Sequence, residues 1–536
     1  MWTLLSFAAF TLMVAALSYW KTRGDDRGSS EGYFLGGRNL RWYFIAGSLL
    51  LTNLSSEQMV GLNGGGYTHG MVVMAWEVVA AVTMVFMAIF MLREYLRRGI
   101  ATIPDFVAQR YDRQLRDLLT AVSLFQMIFL VLPFILYSGA LALNAIFRPD
   151  QLLGISETQS LWLMIVLTGV VGSIYAIGGG LRAVAVSDTI NGIGLVIGGF
   201  LVPFFAVVAL GEGSLTQGLN TLVSENPQRL NPVGGPTADI PFSTLFTGML
   251  FINFAYWCTT QYIIQRTFAT RSLAQGQKGI LFAAAMKLLG PLYLVLPGIL
   301  AWHIFGPDLE AGDYAYPNLV NAVMPDWLAG FFAAVLFGAV LSSFNSTLNS
   351  AATIFSLNFY QPLRKQAGDR EVIAAGKVFG IVVAVASVVI APLIAYSPEG
   401  LFNLMKKIGS VFCAVPMIVV LGMFNRRIPP IAAKIAFVIG VVLYSTLAYG
   451  FEHTYFGHEL NWLHTVAFSA GVPSVFMLIF GWLKPYSGNV SASETESVEG
   501  MDLEPWKWAR PVGALVLVLV VGVYAGLWYI SGGGWG

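Results

Sequence analysis

Runs of 18 or more predominantly apolar residues recur along almost the whole of this 536-residue chain. A run of that length crosses a bilayer as one helix. Hydrocarbon offers no water to the backbone, so each run must satisfy its own N–H and C=O groups, and a helix does so within the segment. Charged residues make up only 11% of the chain and hydrophobic ones 56%, which excludes an ordinary soluble domain. The expected class is an all-α polytopic membrane protein, with the lipid bilayer as its surroundings and no nucleic-acid partner.

The pattern predicts about fourteen transmembrane helices, at roughly 2–20, 43–66, 70–92, 117–147, 160–180, 185–211, 243–265, 279–304, 328–358, 375–396, 400–424, 430–450, 462–483 and 511–530. The stretch 328–358 is long enough to need tilt or a start outside the hydrocarbon. The first run has no basic segment before it and no small-residue cleavage site after it, so it reads as a membrane helix rather than a signal peptide. Basic residues set the orientation. Of the 30 Lys and Arg, only Arg148 and Arg229 fall in loops after even-numbered spans, while Lys287, Lys406 and Lys407 lie in or beside helices. The rest gather at the loops after odd-numbered spans, which the positive-inside rule makes cytoplasmic, with both termini outside. Shifting the count by one span would destroy this segregation. Cys258 and Cys413 sit in apolar helices, which argues against a disulfide framework or a thiolate metal site.

Two spans carry polar residues where lipid-facing helices cannot. The second holds Thr52, Asn53, Ser55, Ser56, Glu57 and Gln58, and the seventh holds Asn253, Tyr256, Trp257, Thr259, Thr260 and Gln261. Both suit a helix interrupted at mid-membrane, whose freed carbonyls hold an ion and whose ends receive a polar solute. Hydroxyls bonded back to the preceding turn, or plain packing by Tyr256 and Trp257, are the simpler readings. The two spans are five apart, so spans 2–6 and 7–11 read as two five-helix units that each begin with a break. The ninth span adds Ser342, Ser343, Ser346 and Ser350 on neighbouring turns. Neutral hydroxyl and carbonyl oxygens suit a dehydrated sodium ion. Glu77 and Lys287 are charges inside apolar helices. Each costs about 2.5–3.5 kcal/mol to insert, so each needs a partner, a cavity or a solute. No Walker loop or dinucleotide fingerprint is present, and no cofactor is expected beyond sodium as coupling ion.

Those residues, read with Asn-Leu-Ser-Ser-Glu-Gln at 53–58, Trp76-Glu77, Gln-Tyr-Ile-Ile-Gln-Arg-Thr at 261–267, Gln-Lys-Gly-Ile at 277–280 and Leu-Ser-Ser at 341–343, resemble the sodium/solute symporter family. Within it they are most similar to the bacterial sodium/sugar (glucose/galactose) cotransporters. The resemblance implies the inverted five-helix repeat of the leucine-transporter type, in a bacterial inner membrane, and no enzymatic activity. It implies a leading helix and loop over 1–42, a first repeat over 43–211, an extracellular loop over 212–242, a second repeat over 243–450 and trailing helices over 451–536. Within the last, 485–510, with Glu494, Glu496, Glu499, Asp502 and Glu504, reads as a flexible acidic linker.

Carried over residue by residue, the family's sodium site falls on the carbonyls of Leu51, Leu54 and Ala339 and the hydroxyls of Ser342 and Ser343. Asp188, with Ser342 and Ser346, matches a second sodium site or an exit path, although Asn345 replaces a hydroxyl there. Asp188 paired with a basic loop residue is the plainer alternative. The solute residues fall on Asn53, Gln58, Glu77, Asn253 and Lys287, with Leu62 and Trp76 as outer cover and Tyr256 as inner gate. Amides, a carboxylate and an ammonium match a ring of sugar hydroxyls that donate and accept. An internal salt bridge between Glu77 and Lys287 is compatible with that role. Two contacts are missing: Val131 stands where the galactose-binding relative has an asparagine and Ala80 where it has a serine, and Ile408 is loosely aligned with a glutamine. The implied function is sodium-coupled sugar uptake by alternating access, for which a monomer suffices. Alternatives are symport of an amino acid, sialic acid or vitamin, proton coupling through Glu57 or Asp188, and a sugar sensor without transport.

Overall fold

The computed structural model describes residues 2–24, 28–307, 309, 312–396, 408–450, 454–455, 458–486 and 501–534. These are almost entirely helical, apart from a two-residue hairpin pairing Thr454–Tyr455 with His458–Glu459. Nine helices, or ten if the bent pair Leu273–Lys287 and Gly290–Phe305 counts as one, are long and apolar enough to cross a membrane among the described residues. Exposed Val378, Ile381, Val382, Val385 and Val389 on Asp369–Ile390, and Leu515, Val518 and Val521 on Ala509–Ile530, form surfaces fit for lipid tails and unfit for water. Lys406 and Lys407, and the start of the expected span 400–424, lie outside the described residues.

Several expected spans are interrupted, and the interruptions have local causes. The second span is a helix over Trp42–Asn53, a non-helical Leu54 and a second helix over Ser56–His69. Ser55 caps the second piece, its hydroxyl accepting from the Gln58 amide at 3.4 Å. The seventh span is Gly248–Phe254, a π turn over Ala255–Thr259, an extended Thr260 and a helix over Gln261–Phe268. The expected turn after the fifth span falls at Gly180 (φ 66°), where only glycine sits without strain. Further π turns lie at Met87–Met91, Met127–Val131, Phe355–Tyr360 and Thr446–Gly450. Each inserts one residue and re-aims the side chains around it.

The chain leaves one face of the molecule after Arg38, turns at Gly70 (φ 76°) and returns by Gly99. There the Arg38 guanidinium donates to the Gly99 carbonyl at 3.0 Å, so the second and third spans run antiparallel. At the turn, Arg229 donates to the Tyr67 carbonyl at 2.7 Å and stacks on Trp302 at 3.8 Å. Glycine lets the broken helix and the bent pair meet backbone to backbone. A methyl at Gly298 would lie 1.8 Å from the Asn63 carbonyl oxygen and 2.8 Å from the Tyr67 amide. Backbone cannot rotate away, so Gly298→Ala is expected to cost at least about 1–3 kcal/mol, read as a lower melting temperature in detergent. An unchanged melting temperature would show that this packing yields easily.

One expectation needs correcting. The described part of 485–510 is docked rather than free. The Leu273 amide donates to the Asp502 carbonyl at 2.9 Å and the Trp506 amide to Gln277 Oε1 at 2.8 Å, while Met501, Leu503 and Trp506 pack on the main core. Apolar residues between the acids give this part a surface to bury. Glu494, Glu496 and Glu499 lie outside the described residues.

Candidate solute and ion sites

A cavity of about 310 Å³ lies between the two broken helices. Asn53 and Gln58 line it from the first break, Asn253, Tyr256 and Thr259 from the second, and Glu77 and Lys287 from the helices between. The π turns over 127–131 and 255–259 both face it, and Val131 is part of its wall. All five expected solute residues therefore meet in one place.

Their bonding is uneven. Lys287 Nζ donates to Glu77 Oε2 at 2.6 Å and to Asn53 Oδ1, and sits 5.2 Å from the centre of the Trp257 ring. Both charges are fully buried, so the internal salt bridge is present and faces the cavity. Asn253 spends one amide proton on the Met249 carbonyl of its own helix at 3.0 Å. Gln58 Oε1 is buried with no hydrogen-bond partner. Unsatisfied buried acceptors are costly, and one facing a cavity is where a donor from a solute fits.

Trp76 and Tyr256 line the cavity, whereas Leu62 is fully buried in the main core and does not. Ala80 is buried and also off the wall. Ile408 is absent from the wall while its neighbours Gly409 and Ser410 are on it. Sequence reasoning missed Trp462 and Val466, which reach the cavity from the helix Trp462–Leu483. The Trp462 ring stacks on Trp76 with centroids 6.0 Å apart and planes at 15°. No local signal marks it, because it opens an ordinary apolar helix. Gln261 was singled out without a role. Its side chain accepts from the Ile103 amide at 2.9 Å and donates to the Ala101 carbonyl at 3.1 Å, tying the cavity's lower edge to the 99–103 loop.

Beneath the first break lies a second cluster. The Ser55 amide, which a continuous helix would send to the Leu51 carbonyl, bonds the Asn53 carbonyl at 2.8 Å instead. The Gln58 amide, which would serve Leu54, turns to Ser55 Oγ. The break thus diverts the amides that would close both carbonyls assigned to sodium. Ser343 Oγ donates to the Thr52 carbonyl at 3.1 Å, bringing the serine-rich helix Asp326–Ile354 against the same turn. Ala339, Ser342 and Ser343 are all buried on that helix. Ser346 lies 3.2 Å from the Thr52 hydroxyl, and Ser350 donates to Gln265, so the lower serines tie helices together.

Asp188 is fully buried. Its Oδ2 accepts from Ser48 Oγ at 2.6 Å and lies 3.7 Å from Arg266 Nη1, which also donates to the Ser48 carbonyl at 2.9 Å and to Thr52 Oγ1. Its partner is thus a buried arginine from the second half of the broken seventh helix rather than a loop residue. Asp188 Oδ1, Ser342 Oγ and Asn345 Oδ1 are buried without hydrogen-bond partners.

The family model described as "Sodium:solute symporter family" matches residues 33–440. The chain belongs to the sodium:solute symporter family. As a member it is a multi-pass membrane transporter for which sodium is the coupling ion. It is 46% identical over 534 residues to the "Uncharacterized symporter YidK" of Escherichia coli, covering 99% of this chain and 92% of that one. It is 33% identical over 468 residues to the sodium/glucose cotransporter of Vibrio parahaemolyticus, covering 81% and 82%. In fold it is similar to a solved Na+-coupled sialic acid symporter, with a TM-score of 0.75 at 18% identity over 90% of this chain and 98% of that one. A weaker likeness, TM-score 0.56 at 14% identity, is to the nucleobase-cation-symport-1 transporter Mhp1. The two solved structures share its overall fold.

Proposed function

We propose that this symporter couples sodium influx to uptake of a hexose-like sugar by alternating access. In this reading it has fourteen helices in a bacterial inner membrane, the two five-helix repeats at its centre and both termini outside. The observation that carries the reading is the buried, unpartnered Gln58 Oε1 facing a cavity that also presents Asn53, Glu77, Asn253 and Lys287. Sugar hydroxyls donate and accept at once, which is what a mixed set of amides, one carboxylate and one ammonium can satisfy. The sodium/glucose cotransporter among its relatives supports the same class.

Sodium at Leu51, Leu54, Ala339, Ser342 and Ser343 bridges the first break to the serine-rich helix and holds the outward-open state. Sugar binds beside it, Trp76 closes above, and Tyr256 moves as the cytoplasmic side opens. Sodium leaves past Asp188. One ion suffices energetically. A 100 mV potential supplies about 2.3 kcal/mol per charge and a tenfold sodium gradient about 1.4 kcal/mol, together roughly a 500-fold accumulation. A modified sugar is favoured over galactose by Val131 in the cavity wall, which offers no hydrogen bond where a polar contact would select a hydroxyl.

The test is uptake of radiolabelled hexoses into proteoliposomes under an imposed sodium gradient, with potassium replacing sodium as control. Gln58→Ala and Ser343→Ala are each expected to lower uptake at least about tenfold, the loss of roughly one solute hydrogen bond or one ion contact. Uptake of no hexose, with sodium binding that Ser343→Ala abolishes, would keep the ion site and move the solute to another class.

A further inference from the structure

The docked segment before the last helix builds a second site, away from the transport path. Its edge forms a crevice of about 350 Å³ against the end of the third span. Three cations line it: Arg93 from the helix Leu92–Arg97, and Lys507 and Arg510 from the docked segment and the helix after it. No acidic residue lines it. Nearby on this face some cations are neutralised. Arg97 and Arg98 both pair with Glu94 at 2.8 Å, and Arg38 pairs with Glu31 at 3.1 Å. Among the described residues Arg93, Lys507 and Arg510 have no acidic partner, and Lys507 meets only the Trp508 ring.

These cations are held together against their own repulsion. Trp506 bonds Gln277 through its amide, and Gln277 bonds the Ala88 carbonyl at 3.1 Å, fixing the segment to the third span. Gly513 lets the last helix approach Ile89, whose side chain a methyl there would meet at 2.9 Å. Pro505 and Pro511 stiffen both ends of the stretch. Apart from Gln277, whose amide is engaged as above, the remaining wall is built mainly of apolar residues such as Ile89, Leu273 and Trp506. Phe90, beside Ile89, and Val518, two turns beyond Arg510, are exposed on the same two elements. Three exposed cations on fixed backbone, beside a largely apolar wall at the level of interfacial tryptophans, match an anionic headgroup whose tails continue along the helices.

We propose that this crevice binds the phosphate headgroup of an anionic phospholipid from the cytoplasmic leaflet. The side rests on the orientation proposed above; binding of the lipid does not depend on which solute is carried. The full chain, stripped of lipid in neutral detergent, is titrated with palmitoyl-oleoyl phosphatidylglycerol and followed by native mass spectrometry. One phosphatidylglycerol is expected to bind well ahead of the others, with phosphatidylcholine failing to replace it and inorganic phosphate failing to displace it. The triple substitution Arg93→Gln, Lys507→Gln and Arg510→Gln is expected to weaken that first binding at least about tenfold, since each surface cation contributes about 1 kcal/mol. The single exposed change Lys507→Glu, which no fold contact opposes, is expected to weaken it severalfold. Equal phosphatidylglycerol binding by both variants, equal binding of phosphatidylcholine, or displacement by phosphate alone would overturn the proposal.

Discussion

Replacing Lys287 with methionine is expected to destabilise the protein by about 3–5 kcal/mol and to reduce uptake at least about a hundredfold. The first effect follows from burial. Glu77 and Lys287 are both enclosed at 2.6 Å, and removing the ammonium leaves a carboxylate with no counter-charge in a membrane interior. The second follows from position, because both side chains line the cavity proposed to hold the solute. The two effects separate in the double variant Glu77→Gln, Lys287→Met. It removes both charges, so thermal stability in detergent is expected to return, while uptake stays lost because the solute has lost both ionic partners. Full uptake by the double variant would reduce the pair to a structural brace. A wild-type melting temperature for Lys287→Met alone would show that the pair carries no stability.

Arg266→Met is expected to be comparably damaging, at about 3–5 kcal/mol, and for a different reason. The Arg266 guanidinium ties the second broken helix to the first through Ser48 and Thr52 and balances Asp188. Without it, Asp188 keeps one bond from Ser48 and an otherwise uncompensated charge. Adding Asp188→Asn is expected to recover most of the lost stability, since the amide needs no counter-charge. Melting curves of the single and double variants decide the matter. Equal destabilisation in both would mean that the charge balance is incidental and the ties to Ser48 and Thr52 carry the effect.

Much of this was legible in the residues because the membrane makes polar groups conspicuous. Asn53 and Gln58 stand out in an apolar run, and the structure places them beside Glu77 and Lys287 with the break where the polar cluster lies. Asp188 stood out too, but its partner did not. Arg266 reads as one basic residue near the end of a span, and only the extended Thr260 brings the helix that carries it under the first break. Trp462 was illegible for the opposite reason: an aromatic at the start of an apolar helix is ordinary, and its meaning comes wholly from stacking on Trp76. The docked stretch after Met501 was hidden by its charges. Composition averages over Asp502 and Glu504, whereas the fold uses the backbone and the apolar residues between them.

The stack of Trp462 on Trp76 also bears on how such a transporter can be divided. Residues 43–450 hold both broken helices, yet one panel of the solute chamber comes from a helix that starts at 462. Under the proposed assignment, cutting out that central region would deliver the ion site with a chamber open on one flank. Exchange of the Trp462–Leu483 helix between relatives is then expected to alter which solutes fit while leaving the residues proposed for sodium untouched. In that reading one flank of the chamber and the ion site sit on separable lengths of chain, and the flank can drift while the ion site is held fixed.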